Sequence, residues 1–409
     1  MRPDPYSGRS KRQRMYDYRL AEEYELLRSA LCEFLQCEIA GSAEYYDKAE
    51  QFPEENIAKF AKRGYLGIPI PEKYEGAELG ELGYGVAIQE ISKVCSAHGT
   101  IIGAHTGLCE VPIYLFGNTD QRSQYLPDLA SGRKLGAFCL TEPGAGSDAA
   151  NIRTTATRDG DNYILNGTKQ FITNGDRADT IVVFAANDLS LGAFGGITAF
   201  IVERKKFGGI TTSKVEKKMG IRASSTAQVV FEDCHVPKEN VLGKFGLGFL
   251  VALTALDGGR ASLSAGAVGG AEMALEFMVD WVEQKEELAR DEAVQRMIAD
   301  TVIDAHTARL TSYQSLAEVD SYFSRLANGV KIPREEREAI SRHTAIAKAY
   351  CSEVASRSLE RALQVLGMHG YTEGLGLERG YRDSFISEIY EGTNDIQRLI
   401  IARDILGLT

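Results

Sequence analysis

The residues best equipped for chemistry stand near the C-terminus, in the run IYEGTNDIQR at 389–398. Glu391 lies between an aromatic residue and a glycine, just ahead of an apolar-periodic stretch that reads as a helix. A carboxylate there is either an ordinary acid at a helix entrance or a base placed to take a proton. Base work needs exclusion of water, which raises a carboxyl pKa toward a useful range. A helix N-terminus close behind acts in the opposite direction. Two further loops carry polar groups. CLTEPGAGSD, 139–148, offers Thr141, Ser147 and Asp148 beside Gly144 and Gly146. A dinucleotide-binding turn would need a third glycine and a following helix, but NIRTTATRDGDNYILNG reads as strand, so that reading is rejected. The loop either presents N–H groups and hydroxyls to a bound group or is a tight hairpin turn. In QFITNGDRAD, Phe171 could cover the face of a ring and the Thr173 hydroxyl could reach a ring nitrogen. The other reading of Phe171 is a core residue. The seven cysteines show no CxxC or Cys/His spacing, so no metal site is expected and the thiols read as buried and reduced.

These groups need a scaffold. A chain of 409 residues, 44% apolar and 25% charged, reads as a globular protein of two or three domains. No apolar run reaches the roughly 18 residues of a membrane span, and a net charge of −11 argues against nucleic acid. Residues 1–19 are basic without an apolar signal core and read as a mobile arm on a cytoplasmic protein. Residues 20–133 carry helical periodicity; in FPEENIAKFAKRGYLG, Pro53 takes a first-turn position and Gly64 the end. From 134 to 245 short β-branched and aromatic runs predict an antiparallel β domain, with Asn166-Gly167 and Asn174-Gly175 as hairpin signals. From 246 to 409 the helical period returns, and NGVKIPREEREAISR reads as a loop between long antiparallel helices. The fold class is α+β and multidomain.

FCLTEPGAGSD, QFITNG, KMGIRASSTAQVVFEDCHVP, LDGGR and IYEGTNDIQR occur in the order and spacing of the acyl-CoA dehydrogenase family, across nearly the whole chain. The sequence resembles most the short-chain and branched short-chain members. The resemblance implies an N-terminal helical domain, a middle β domain and a C-terminal four-helix bundle in a homotetramer. It also implies non-covalent FAD, oxidation of an acyl-CoA thioester to the 2,3-enoyl form, and an electron-transfer flavoprotein as acceptor. The compartment would be the cytoplasm, or the mitochondrial matrix in a eukaryote.

Carried onto this chain, the resemblance makes Glu391 the base for the α-proton and flavin N5 the acceptor of the β-hydride, with the Glu391 N–H and a ribityl hydroxyl polarising the carbonyl. Phe138, Leu140 and Thr141 would line the flavin; Phe171, where many relatives have Trp, Ile172 and Thr173 would cover it; Thr393, Asn394 and Asp395 would touch it. Ser147 would meet the pantetheine, Asp257, Gly258, Gly259 and Arg260 would border the substrate channel, and Gly392 would lie beside the substrate. Gly259 stands where some relatives place their glutamate. Gln295, Gln364, Gly367 and Met368 would approach the FAD of a neighbouring subunit. Two departures concern that neighbour contact. Gln284 and Glu287-Leu288 replace a usual Arg-x-x-Phe-Gly, and Gly367-Met368 replaces Gly-Gly, so the ADP end would be held differently. A flavin-poor partner subunit of a mixed tetramer and a carrier-protein thioester as substrate stay open. His98 and His105 fall where the family's helical wall borders the acyl pocket, making His105 a candidate for shaping specificity.

Overall fold

The computed structural model describes residues 20–408; the basic arm 1–19 lies outside them. Helices α1 (Glu22–Phe34), α2 (Gly80–Val94), α3 (Ser96–Ile102) and α4 (Thr119–Ala130) belong to the first region. Helix α2 is buried along nearly its whole length and passes through the interior rather than over a surface. Its Gly85 is required there, because a Cβ would lie 2.3 Å from Leu316 Cδ1. Pro53 sits one residue before its helix (Glu54–Lys62) as the N-cap, and Gly64 follows the end at φ 73°.

The middle sheet contains β1 (Gly136–Cys139), β2 (Thr155–Asp159), β3 (Asn162–Thr173), β4 (Thr180–Ala186), β5 (Ile197–Glu203), β6 (Ile210–Val215), β7 (Thr226–Pro237) and β8 (Val241–Leu242). Neighbours run β6-β7-β3-β2-β4-β5-β8, with β1 on β4. Most pairings are antiparallel as expected, but β1 meets β4 in parallel and Thr155 of β2 stands parallel to Ala186. β4 is central and buried at every position, as the continuous apolar run TIVVFAA requires. Asn174-Gly175 ends β3, with Asn174 at φ 62°. Asn166-Gly167 is not a turn. It lies inside β3 at a register shift against β7, where a Cβ on Gly167 would come within 2.5 Å of Thr154 Oγ1. The β2–β3 turn is Gly160-Asp161 instead, Gly160 taking φ 59°.

Helices α5 (Gly248–Glu283), α6 (Glu292–Ala327), α7 (Arg334–Leu366), α8 (Leu377–Ser384) and α9 (Asn394–Leu406) complete the chain. The charged run expected as a loop is helical from Arg334 onward. Pro333 caps α7 and Glu335 and Glu336 fill its first turn, where the helix dipole favours acids.

Candidate active site

A cavity of about 430 Å³ opens between the sheet and the helices. Phe138, Leu140, Thr141, Ser147, Phe171, Ile172 and Thr173 line it from the β side, and Arg260, Glu391 and Gly392 from the helical side. Ten positions expected from widely separated motifs therefore share one space.

Glu391 enters it from a strained turn. A short 3₁₀ segment (Phe385–Glu388) leads from α8 toward Glu391, which takes φ 55° and is followed by Gly392 at φ 88°. Left-handed backbone at a non-glycine residue persists only when its surroundings hold it. Here the holders are explicit. Arg260 Nε donates to Glu391 O at 3.2 Å, Gln397 Nε2 donates to Glu391 O at 3.1 Å and Gly392 O at 2.9 Å, and Lys348 Nζ donates to Gly392 O at 2.9 Å. Thr393 caps α9 through Ile396 N at 3.4 Å. The donors occupy carbonyls, not the carboxylate, whose Oε2 is buried without a hydrogen-bond partner. Burial pushes the Glu391 carboxyl up to about 7, with Arg260 and then Lys348 pulling it back. A base must be ionised to act, so kcat/KM is expected to rise tenfold per pH unit below about pH 7 and level off above it. A pH–rate profile with no acid limb between pH 5 and 8 contradicts this.

LDGGR lies inside α5, where i,i+3 spacing pairs Arg260 Nη1 with Asp257 Oδ1 at 3.0 Å. Asp257 is buried and also accepts from Ser341 Oγ at 2.7 Å, so it holds Arg260 and does not itself line the cavity. Gly258 packs on Phe323, and a Cβ on Gly259 would stand 2.3 Å from Glu391 Oε2. The helix tolerates glycine here because the carboxylate occupies the side-chain space.

The loop after β1 is built on residues that sequence reasoning passed over. Fully buried Lys169 donates to Glu142 Oε1 at 2.7 Å and to Leu140 O at 3.0 Å. Glu142 also accepts from Arg153 N at 2.6 Å and Thr154 N at 2.9 Å, while Gln170 N donates to Thr141 O at 2.8 Å. Glu142 and Lys169 both stand inside the quoted or adjoining motifs, but nothing in their spacing shows that they pair. Phe171 then breaks strand geometry at φ 58° and stays 63% exposed, an unusual state for an aromatic side chain in β3. It is not a core residue.

Other expected positions lie elsewhere. Asn394 turns inward, accepting from Lys348 Nζ at 2.8 Å and donating to Ser352 Oγ at 3.0 Å, and Asp395 is exposed. Neither these two nor Thr393 lines the cavity. Gln295 at the start of α6, Gln364 near the end of α7, and Gly367 and Met368 just after α7 are exposed and outside this cavity. Gln284 closes α5 and donates to Asp280 O at 2.9 Å; Lys285 lies 4.2 Å from the Trp281 ring centroid, and the His369 ring 4.6 Å from it. His105 does not shape the cavity. It is buried against Glu110 Oε1 at 2.6 Å and accepts from Gly136 N at 2.8 Å. His98 is likewise buried, against Asn56 at 3.0 Å.

Residues 21–133, 137–234 and 246–406 match the N-terminal, middle and C-terminal domains described for acyl-CoA dehydrogenases. The short-chain specific acyl-CoA dehydrogenase of Clostridium acetobutylicum is 40% identical over 94% of this chain and 98% of its own. Butyryl-CoA dehydrogenase from Megasphaera elsdenii superposes at a TM-score of 0.88 with 35% identity, covering 95% of this chain and all of that one, 100%. A chain solved in work on the electron transferring flavoprotein of Acidaminococcus fermentans gives a TM-score of 0.88 at 40% identity, covering 95% of this chain and 99% of that one. With three domains in order and a carboxylate desolvated between sheet and bundle, the chain belongs to the acyl-CoA dehydrogenase family, a family of FAD-dependent oxidoreductases.

Proposed function

We propose that this enzyme oxidises a short-chain acyl-CoA thioester to its 2,3-enoyl form, with Glu391 taking the α-proton. The observation that carries the reading is the Glu391 Oε2, buried and unpartnered in a cavity it shares with Phe171 and Thr173. The residues fit FAD. A tricyclic ring needs a flat apolar wall and polar groups at its edge; Phe171, held exposed by a left-handed backbone, supplies the first, and Thr141 and Thr173 the second. Phe138, Leu140 and Ile172 would complete that wall, and Thr393, Asn394 and Asp395 would act through the shape of the α9 entrance. When bound, FAD supplies the acceptor for the hydride from the β-carbon.

The chain's own groups do the rest. The Glu391 N–H, which no backbone carbonyl among the described residues accepts, is placed to polarise the thioester carbonyl and acidify the α-proton. Gly392 beside it takes φ 88°, and a Cβ there would lie 2.6 Å from Gln397 Nε2, so the turn needs a glycine. Ser147 would meet the pantetheine at the exposed rim, with Arg260, held by Asp257, at the helical border of the channel and Gly258 and Gly259 set behind it. Gln295, Gln364, Gly367 and Met368, exposed on this chain, would reach the cofactor of a neighbour in a homotetramer. Exposed apolar residues on α6, α7 and α9, among them Ile303, Leu310, Ile346, Leu399 and Ile405, support self-assembly. Electrons would leave to an electron-transfer flavoprotein. The seven cysteines are unpaired, with Cys32 and Cys37 exposed rather than buried as expected, and they fit a reducing compartment, the cytoplasm.

Purified protein is expected to carry about one FAD per chain, and its oxidised flavin absorbance to bleach when butyryl-CoA or isobutyryl-CoA is added anaerobically. Bleaching only by a carrier-protein thioester would move the substrate handle. Flavin that stays oxidised with both classes defeats the reading, and a flavin-poor chain co-purifying with a similar one would make it a partner subunit.

A further inference from the structure

Lys348 is a charged group that the mechanism above does not use. It sits in the middle of α7 with a buried side chain, surrounded by other helices. A lone buried ammonium is expensive, and burial pulls its pKa down to about 8. Its partners explain why it is kept charged and where it points. Nζ donates to Gly392 O at 2.9 Å and to Asn394 Oδ1 at 2.8 Å, bridging the residue after the base to the first residue of α9. Asn394 is itself fixed, donating to Ser352 Oγ at 3.0 Å and Glu353 Oε1 at 3.2 Å, both one turn further along α7. The ammonium therefore ties the strained turn at Glu391-Gly392 to a rigid helix on one side, while Arg260 ties it to α5 on the other.

We propose that Lys348 is a positioning residue for the Glu391 base: through Gly392 O it holds the left-handed turn that aims the carboxylate into the cavity. The inference rests on the reading of Glu391 as base. Without the clamp the turn relaxes, because left-handed backbone at a glutamate is unfavourable and persists only when its surroundings hold it. A misplacement of about 1 Å at a reacting group can lower a rate about 10²-fold.

The charge acts alongside a defined set of neighbours. Arg260 on α5 and Lys348 on α7 favour the ionised carboxylate; the Tyr84 phenol on α2 and the Tyr390 phenol beside Glu391 stay protonated, each pushed up by burial. Lys348 is faced in turn by Glu391, Arg260, Glu388 and Glu353. Removing Lys348 leaves Arg260 as the one cation among the described residues acting on the Glu391 carboxyl and raises its pKa, so the acid limb of activity must move to higher pH.

The test uses the full flavin-loaded enzyme. Lys348→Met is expected to keep its flavin content and its KM within about twofold. Its kcat should fall about 10²-fold, and the acid limb of kcat/KM should move up by about one pH unit. A residue that merely supports the fold would lower stability without moving that limb. Lys348→Gln, which keeps a donor toward Gly392 O without the charge, should recover part of kcat but show the same displaced limb; it also serves if Lys348→Met does not fold. A folded variant with wild-type kcat and an unmoved limb overturns the proposal. Glu391→Gln measured in parallel separates the two claims. If it is inactive while Lys348→Met behaves as wild type, the base stands and the positioning role falls. If Glu391→Gln keeps full activity, the reading of the base itself has failed.

Discussion

Glu391→Gln protein is expected to purify with its flavin and to be reduced by acyl-CoA about 10²–10⁴ times more slowly than the parent. The amide matches the carboxyl in shape and cannot take a proton, so loss of rate with retained cofactor isolates proton abstraction from binding. The same substitution should reveal what the base costs the fold. An ordinary glutamate titrates near about 4.3, whereas this one is held up to about 7 by burial. Between those values the folded chain binds more protons than the unfolded one, so stability falls as pH rises through that window. Glutamine never ionises and escapes the fall. The variant should therefore melt above the parent at pH 8, with the gap closing below about pH 4. A site built for chemistry at the expense of stability behaves in this way. A variant with parental rate, or one whose melting advantage is the same at every pH, would show that the carboxylate is neither base nor desolvated.

Lys169→Met should be the most damaging change in the middle region. It removes the cation from a buried pair and strands Glu142, which is buried and already committed to two backbone N–H groups. Breaking a buried pair from one side typically destabilises by about 3–5 kcal/mol, because the remaining charge has no partner. The loss should fall locally as well, since Lys169 also anchors Leu140 O beside Thr141. Bound flavin per chain and the urea midpoint are both expected to drop. Adding Glu142→Gln should restore part of the midpoint, because the amide leaves no stranded charge. A single variant with parental midpoint and flavin content would mean that this pair does not hold the loop.

The extent to which all this could be read from residues follows from range. Periodicity and punctuation are local, so the sequence of helices, sheet and helices, the capping by Pro53 and the ending of β3 at Asn174-Gly175 were legible. Long, mutually spaced motifs brought Glu391, Phe171, Thr141 and Ser147 together on paper before the cavity did so in space. Local rules also misled where a neighbour overrode them. Asn166-Gly167 has hairpin chemistry, but β7 pairs with both sides of it and Thr154 leaves no room for a Cβ, so it became a bulge. Arg334 onward looked too charged for a buried helix, yet only one face of α7 needs to be apolar, and its acids suit the first turn.

Residue types and their order along the chain were enough to specify the family and to single out Glu391 as the candidate base. Only the folded chain decided that His105 is spent on Glu110, that Asn394 faces inward, that Glu142 and Lys169 form a pair, and that the carbonyls around Glu391 are held by three side chains from three helices. The reason is physical: a hydrogen bond or a buried charge depends on distance through space, and residues 131 or 44 positions apart in the chain carry no mark of meeting.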